Sequence, residues 1–292
     1  MSISEIENFG KGQMVSVIII NYNTFELTCN CIASVYYSTK GTNFEIILVD
    51  NASTECDPDS FLKKFPGIKL IKSLKNLGFA KGNNLGIDNA GGEYILLLNS
   101  DTVLLNDAVT IGLQALTAEK TVGVVGSKLV YPDGKVQRSC DKFPSISILL
   151  KRLLRLHFLF GEQRLGMGYD LTKEENNEVD WVWGTFFFFK KEILSHLPEQ
   201  KLPDEFFMYA EDLQWGMVIR KIGYRIIYCP AAKVMHFVGG NNFKNKLVIQ
   251  NSYKLIRREH GTFYFRIYRF IYEGSLFVNF FTNSIKKIIK QQ

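Results

Sequence analysis

Val15-Ser16-Val17-Ile18-Ile19-Ile20 runs directly into Asn21-Tyr22-Asn23. An apolar, β-branched run stopped by polar residues reads as a buried strand ending at a loop. The pattern recurs along the chain. Glu45 to Val49 stops at Asp50-Asn51-Ala52-Ser53, and Tyr94 to Leu98 stops at Asn99-Ser100-Asp101. Ile68 to Ile71 and Val122 to Val125 are two more short apolar runs. Between them lie helical stretches at Phe25 to Ser38, Phe79 to Asn89 (closed by Gly91-Gly92) and about Asn106 to Glu119. Strands that are apolar throughout and alternate with helices predict an α/β fold, a mostly parallel sheet covered on both faces. In such sheets ligands bind outside the carboxyl ends of the strands. Three of these strands end in polar groups: Asn21/Asn23, Asp50/Asn51 and Asn99/Asp101.

Beyond Tyr131-Pro132-Asp133-Gly134 the alternation fades. A basic, apolar stretch from Ile146 to Phe160 precedes a polar loop from Gly161 to Glu178. Trp181-Val182-Trp183-Gly184-Thr185 and four phenylalanines follow. Glu211 to Ile222 reads as a helix, Arg225 to Tyr228 as a strand, and everything from about Lys244 as helical.

Charge is unevenly distributed. The chain of 292 residues carries a net +6, yet Phe243 to Gln292 alone holds 10 Lys/Arg against 2 Asp/Glu. The rest is therefore slightly acidic, which speaks against a nucleic-acid binder. A basic end that also holds 11 aromatic residues suits a segment lying on an anionic membrane. Packing of that end on protein is an equal alternative. Arg266, Arg269 and Glu273 fall on one helical stripe, with Phe263, Tyr264, Ile267, Phe270, Ile271 and Phe277 around it and Lys286, Lys287 and Lys290 beyond. Five cysteines without a CxxC pair argue against a disulfide framework or structural zinc and for a reducing cytoplasm. Met1 to Met14 is polar, unlike a secretory signal. The most apolar long window, Phe263 to Phe281, contains Arg266, Arg269 and Glu273 and is a poor transmembrane segment. The expected location is the cytoplasm, peripheral on the inner face of the membrane.

Four acidic or imidazole positions can carry chemistry, each beside a blander reading. Asp101 on a strand-end loop can ligate a divalent cation, or its segment can cap the helix near Asn106. Asp50 can accept from the N3–H of a pyrimidine, or close an Asx turn. Glu211-Asp212 can supply a general base, or merely suit a helix dipole. His236, before Gly239-Gly240, can bind metal or be a half-buried polar residue.

In order, these segments resemble family 2 glycosyltransferases of the GT-A fold, and bacterial rhamnosyltransferases among them. The resemblance runs from Val15 to about Gly240. It rests on Val17 to Asn23, Val49 to Ser53, Asn76-Leu77-Gly78-Phe79-Ala80-Lys81-Gly82-Asn83-Asn84, Leu97 to Asp101, Phe206 to Asp212, and His236 with its glycines. It implies a GT-A sheet flanked by helices, with a nucleotide-sugar-binding half over 13–130 and an acceptor-binding half over 131–242. A helical tail over 243–292 would follow. It assigns nucleotide-sugar binding to Asn21, Asn23, Asp50, Asn51, Asn76, Gly78, Phe79, Gly82, Asn83, Asn99 and Ser100. Asp101 and His236 would hold Mn2+ or Mg2+, Asp212 with Glu211 would supply the catalytic base, and Trp183 and Gly184 would border the acceptor cleft. One departure stands out: the first acid of the family's metal motif is Asn99 here, which offers an uncharged carbonyl oxygen.

The resemblance implies an inverting transfer, rhamnose favoured, from a dTDP- or UDP-sugar to a glycan or lipid-linked acceptor in cell-surface polysaccharide synthesis. A UDP-hexose enzyme and an inactive nucleotide-sugar-binding homologue are the alternatives, and a homodimer is left open. A nicotinamide dehydrogenase would need a glycine-rich turn where Asn21 to Phe25 has none, and Gly78 to Gly82 does not supply a P-loop.

Overall fold

A computed structural model describes residues 13–237 and 243–289. Gly239, Gly240, Lys290 and the side chains of Phe277, Lys286 and Lys287 lie outside the described residues. The chain divides into two compact units, 1–141 with 171–241 and 142–170 with 242–292.

The first unit begins β1 (Met14–Asn21), α1 (Phe25–Ser38), β2 (Asn43–Asp50), α2 (Asp59–Lys64), β3 (Lys69–Lys72), α3 (Gly78–Ile87) and β4 (Tyr94–Asn99). It continues through β5 (Thr102–Leu104), α4 (Ala108–Thr117), β6 (Val122–Val130), β7 (Val136–Gln137) and β8 (Cys140–Asp141). The second unit interposes α5 (Ile146–Leu153) and α6 (Leu156–Phe160). The first then resumes with β9 (Asn177–Val179), β10 (Trp181–Val182), β11 (Phe186–Lys190), α7 (Glu211–Lys221) and β12 (Arg225–His236), and α8 (Phe243–Ile289) closes the chain.

The main sheet has the order β3-β2-β1-β4-β11-β6-β12-β5. Its first four strands are parallel, as their unbroken apolar runs predict. β11 then runs antiparallel to both its neighbours, and β5 antiparallel to β12, while β6 and β12 are parallel. The four phenylalanines of β11 are fully buried, which places that strand at the centre with both faces covered. Phe187 stacks edge-on against Trp215 of α7 at 5.3 Å. On the opposite face Phe188 packs on α4, where a Cβ on Gly112 would lie 2.8 Å from the ring. Glycine there is what lets the helix approach so large a side chain.

Two sequence expectations change. The helix expected near Asn106 starts at Ala108 and is capped by Asp107, whose Oδ1 accepts from the Thr110 amide at 3.2 Å. Asp101 therefore does not cap it, and β5 intervenes. The strand expected to end at Tyr228 continues to His236. Its second half is hidden from pattern reading because Pro230 and Lys233 interrupt the apolar run and the register slips between Cys229 and Lys233.

In the second unit the expected helical tail is a helical hairpin. Gly261, at φ 83° and ψ 170°, breaks α8. Tyr253 and Tyr272 would stand about 28 Å apart along one straight helix, yet their ring centroids are 5.8 Å apart. The two arms and α5 bury Leu149, Ile256, Tyr268 and Ile271 together. The amide of Ile146, at the start of α5, donates to the Tyr264 hydroxyl at 3.1 Å. No helix among the described residues is long and apolar enough to cross a membrane.

Candidate active site

The register of the parallel strands sets the site. Asn21 pairs with Asp50 and Ile20 with Asn99, so β1, β2 and β4 end at nearly the same level. Asn21 Nδ2 donates to Asp50 Oδ1 and to Ser53 Oγ, each at 2.8 Å. Its Oδ1 accepts from the hydroxyls of Thr24 at 3.1 Å and Thr28 at 2.9 Å. The Asn21 amide is buried with both donors and both lone pairs engaged, so it positions its neighbours rather than reaching for a ligand. Asp50 is also buried, and its Oδ2 accepts from the Ser53 amide at 3.2 Å. That bond spans three residues, one more than the Asx turn expected there; a pyrimidine N3–H would have to use the carboxylate's remaining lone pairs. Asn23 is exposed, in left-handed backbone, and its Oδ1 takes the Thr54 amide at 2.8 Å. The two strand-end loops are thereby stitched together.

Asn51 fastens the next segment. Its Nδ2 donates to Asn76 Oδ1 at 3.0 Å and to the Gly78 carbonyl at 3.2 Å, and its Oδ1 accepts from the Leu77 amide at 2.8 Å. Gly78 has φ +78°, and a Cβ there would lie 2.2 Å from the Phe207 carbonyl oxygen. That same oxygen accepts from the Phe79 amide at 2.8 Å. The start of α3 is thus docked on the loop before α7, and only glycine permits the approach. Gly82 is different: a Cβ there would make ordinary contact with Ile20 and Asn51 at 3.5–3.7 Å. Asn83 turns back on its own helix, donating to the Phe79 carbonyl at 3.0 Å.

Asp101 and His236 meet because β5 pairs antiparallel with the end of β12, Thr102 opposite His236. The Phe237 amide donates to the Asp101 carbonyl at 2.9 Å. Asp101 Oδ1 lies 3.3 Å from His236 Nε2. His236 Nδ1 lies 2.6 Å from Gln137 Oε1; when that amide oxygen accepts, Nδ1 is the donor. A neutral ring with that tautomer would turn a bare Nε2 lone pair toward a carboxylate oxygen, whereas a protonated ring would pair with that oxygen directly. Two acceptors facing each other at that distance suit a cation between them, and the Gln137–His236 bond is the usual partner arrangement of a metal-binding imidazole. Among the described residues no group of three or more His, Cys, Asp or Glu gathers to hold a metal. A cation here would need further ligands from substrate and water, as Mg2+ and Mn2+ bound beside diphosphates do.

The acid pair stands at the first turn of α7. Tyr209 (φ 66°) and Ala210 (φ 75°) are consecutive non-glycine residues in left-handed backbone immediately before Glu211. Such conformations cost about 1–3 kcal/mol each and persist where surrounding structure holds them. Here the loop is held by the Phe79–Phe207 bond. Asp212 Oδ2 accepts from the Gly184 amide at 3.1 Å, and a Cβ on Gly184 would lie 2.8 Å from the Phe79 ring. Trp183 is half-buried against the core, and its amide donates to the Ser139 carbonyl at 2.8 Å. Burial raises the Asp212 carboxyl above the ordinary range, against the pull of the Gly184 and Leu213 amides. Burial raises Glu211 well above its ordinary value, with the neighbouring Asp212 charge adding to it. Glu211 Oε2 is buried without a hydrogen-bond partner.

A raised carboxyl has a stability consequence. Between its unfolded and folded pKa the native state binds the extra proton, so Glu211 contributes stability at low pH that is lost as pH rises through that window. Replacing it by glutamine removes the buried charge. Glu211→Gln is expected to flatten the decline of Tm with rising pH and to raise Tm at neutral pH. An unchanged slope of Tm against pH in calorimetry above the ordinary carboxylate range would contradict this.

Followed from contact to contact, the expected residues form one tract. Asp50 joins Asn21, Asn21 joins Thr24, and Thr24 Oγ1 lies 3.2 Å from Ser100 Oγ. The Asn99 amide donates to the Thr185 carbonyl at 3.1 Å, beside Gly184 and Asp212. The Asn99 side-chain oxygen is buried without a partner. Sequence reading missed Gln137; Ser53, Phe207 and Asn84 lay inside the quoted motifs without a role of their own, and Asn84 ties α3 to Leu202 and Asp204. The Pro132-Asp133-Gly134 turn could have revealed the β6–β7 hairpin that carries Gln137, but not its contact with His236.

The glycosyl transferase family 2 profile matches residues 16–197. The chain belongs to glycosyl transferase family 2. An N-acetylglucosaminyl-diphospho-decaprenol L-rhamnosyltransferase of Mycobacterium tuberculosis is 23% identical over 242 residues, covering 76% of each chain. An uncharacterized protein of Sinorhizobium fredii is 26% identical over 231 residues; that match covers 76% of this chain but only 24% of the relative's length. Among solved structures, a mannosyltransferase of Pyrobaculum calidifontis in complex with GDP-Man and Mn2+ has a TM-score of 0.59 at 19% identity, covering 90% of this chain and 72% of that one. The fold of this family 2 member is GT-A. The profile ends before Asp212 and His236.

Proposed function

We propose that this family 2 glycosyltransferase moves a sugar, with inversion, from a nucleoside diphosphate donor to a hydroxyl of a glycan or lipid-linked acceptor. The observation that carries the reading is the union, on one sheet edge, of an Asp101–His236 pair able to hold a cation and a half-buried carboxylate (Asp212). The strand ends at Asp50 and Asn51 and the Asn76–Phe79 turn receive the nucleoside. Asp212, aimed by the Gly184 amide, takes the acceptor proton as the hydroxyl attacks the anomeric carbon. The anomeric bond to the diphosphate oxygen breaks in the same step, and no protein nucleophile is required. A divalent cation on Asp101 and His236, Mn2+ in preference to Mg2+ for an imidazole-containing set, would supply charge neutralisation of the departing diphosphate. Rhamnose from dTDP-rhamnose is the first donor to try, supported by the name of the mycobacterial relative; a UDP-sugar is the second.

Thermal melts with dTDP-rhamnose, UDP-sugars and GDP-Man, with and without Mn2+, test this. A true donor at about 100 times its Kd stabilises by about 2.7 kcal/mol. The reading predicts that stabilisation depends on Mn2+ and that the bound nucleotide sugar slowly releases its diphosphate. Melts indifferent to every nucleotide sugar would remove the proposal.

A further inference from the structure

We propose that the second unit, built from 142–170 and 242–292, is a docking module for an anionic lipid surface, and that α6 contributes to it as much as the tail does. The proposal stands independently of the reaction assigned above.

Charge comes first. The second unit holds 15 Lys/Arg and 4 Asp/Glu, a net +11, whereas the first holds 20 and 25, a net −5. The chain's positive charge is therefore concentrated in one small unit. Its apolar surface comes second. α5 turns Leu149 into the cluster with Ile256 and Tyr268 and leaves Leu154, just past its end, exposed. In α6 Phe158 and Leu159 are 72% and 76% exposed, and none of that helix's residues is buried. The second arm of α8 buries Tyr268 and Ile271 and turns Phe263 and Phe270 outward, both 79% exposed, with Ile267 between them. Exposed Arg152, Arg257 and Arg266 accompany these side chains.

Large apolar side chains left in water usually mark a surface that meets something. The charge decides what. A second copy would bring +11 against +11, so self-association through this unit is opposed. A nucleic acid would be drawn by the charge but has little use for Leu154, Leu159 and Ile267. An anionic bilayer satisfies both features: aromatic and aliphatic side chains enter the interface while arginines meet headgroup phosphates. With no helix among the described residues able to span, the module lies on the surface.

The test is co-sedimentation of the full chain with vesicles of phosphatidylcholine alone and of phosphatidylcholine mixed with phosphatidylglycerol. Binding is expected to the mixed vesicles, and to weaken on raising salt from about 0.1 to about 0.5 M, as screening shortens the reach of charge. Phe158→Glu with Leu159→Glu is expected to weaken binding at least tenfold, and Phe263→Glu with Phe270→Glu likewise. All four positions are exposed, and unchanged thermal melts will show that the variants fold. Three results would overturn the proposal. One is wild-type protein left in the supernatant, another is both variants pelleting like wild type. The third is sedimentation velocity showing a wild-type dimer that either double variant converts to monomer without altering vesicle binding.

Discussion

Asp212→Asn is expected to lower kcat by at least about a hundredfold, the usual contribution of a positioned general base. Nucleoside diphosphate affinity should stay close to that of the parent. The asparagine oxygen can keep the bond from the Gly184 amide, although its NH2 cannot accept from the Leu213 amide as the carboxylate does, so a thermal melt of the variant belongs beside the rates. What the variant loses is the ability to take a proton. Because burial raises the Asp212 carboxyl, the parent enzyme should also lose kcat/KM on acidification at a pH above the ordinary carboxylate range. The direction follows from the role: a base works only when ionised, and a raised pKa moves that requirement upward. Isothermal titration with the nucleoside diphosphate, alongside rates, separates base loss from a collapsed site. A variant with near-parental turnover would take Asp212 out of the reaction.

Asp101→Ala is expected to abolish the Mn2+-dependent part of nucleotide affinity. The substitution leaves His236 as the sole remaining member of the pair, and a lone imidazole holds Mn2+ poorly. Gln137→Leu should have a smaller effect in the same direction, about 10–100-fold in metal affinity, because it frees the imidazole to rotate and change tautomer. Titration of Mn2+ by its electron paramagnetic resonance signal, with nucleoside diphosphate present, reads both without any turnover. Equal Mn2+ affinity in Asp101→Ala and parent would mean the cation binds elsewhere.

Gly78 and Gly184 show how much of the site hangs on backbone approach. One lets the Asn76–Phe79 turn close on the Phe207 carbonyl; the other lets the Trp183–Thr185 segment pass the Phe79 ring while its amide holds Asp212. Neither role follows from a sequence motif alone. A glycine in a string of polar residues reads as a turn, and Gly82 in the same string makes no such demand.

Some elements were legible because their cause is local. β1, β2 and β4 read clearly from unbroken apolar runs, and α1 spans the Phe25–Ser38 range that its pattern predicts. β5 and β7 were not legible: they are short, and their pairing partners lie far away in the chain. The second half of β12 was masked by its register shift, and the fold-back at Gly261 by helical periodicity on both sides.

By itself the sequence determined the parallel half of the sheet, the polar strand ends at its carboxyl edge, and the basic aromatic character of the tail. Hydrophobic periodicity and charge are properties of neighbouring residues, and a reader of the chain has them in full. Only the tertiary structure decided that Asp101 faces His236, that Gln137 lies against the imidazole's Nδ1, that Gly184 aims Asp212, and that α5 packs into the hairpin of α8. Each of those is a hydrogen bond or a buried contact between distant segments. Such a contact exists only once strand pairing and burial have brought both partners out of water to the same place.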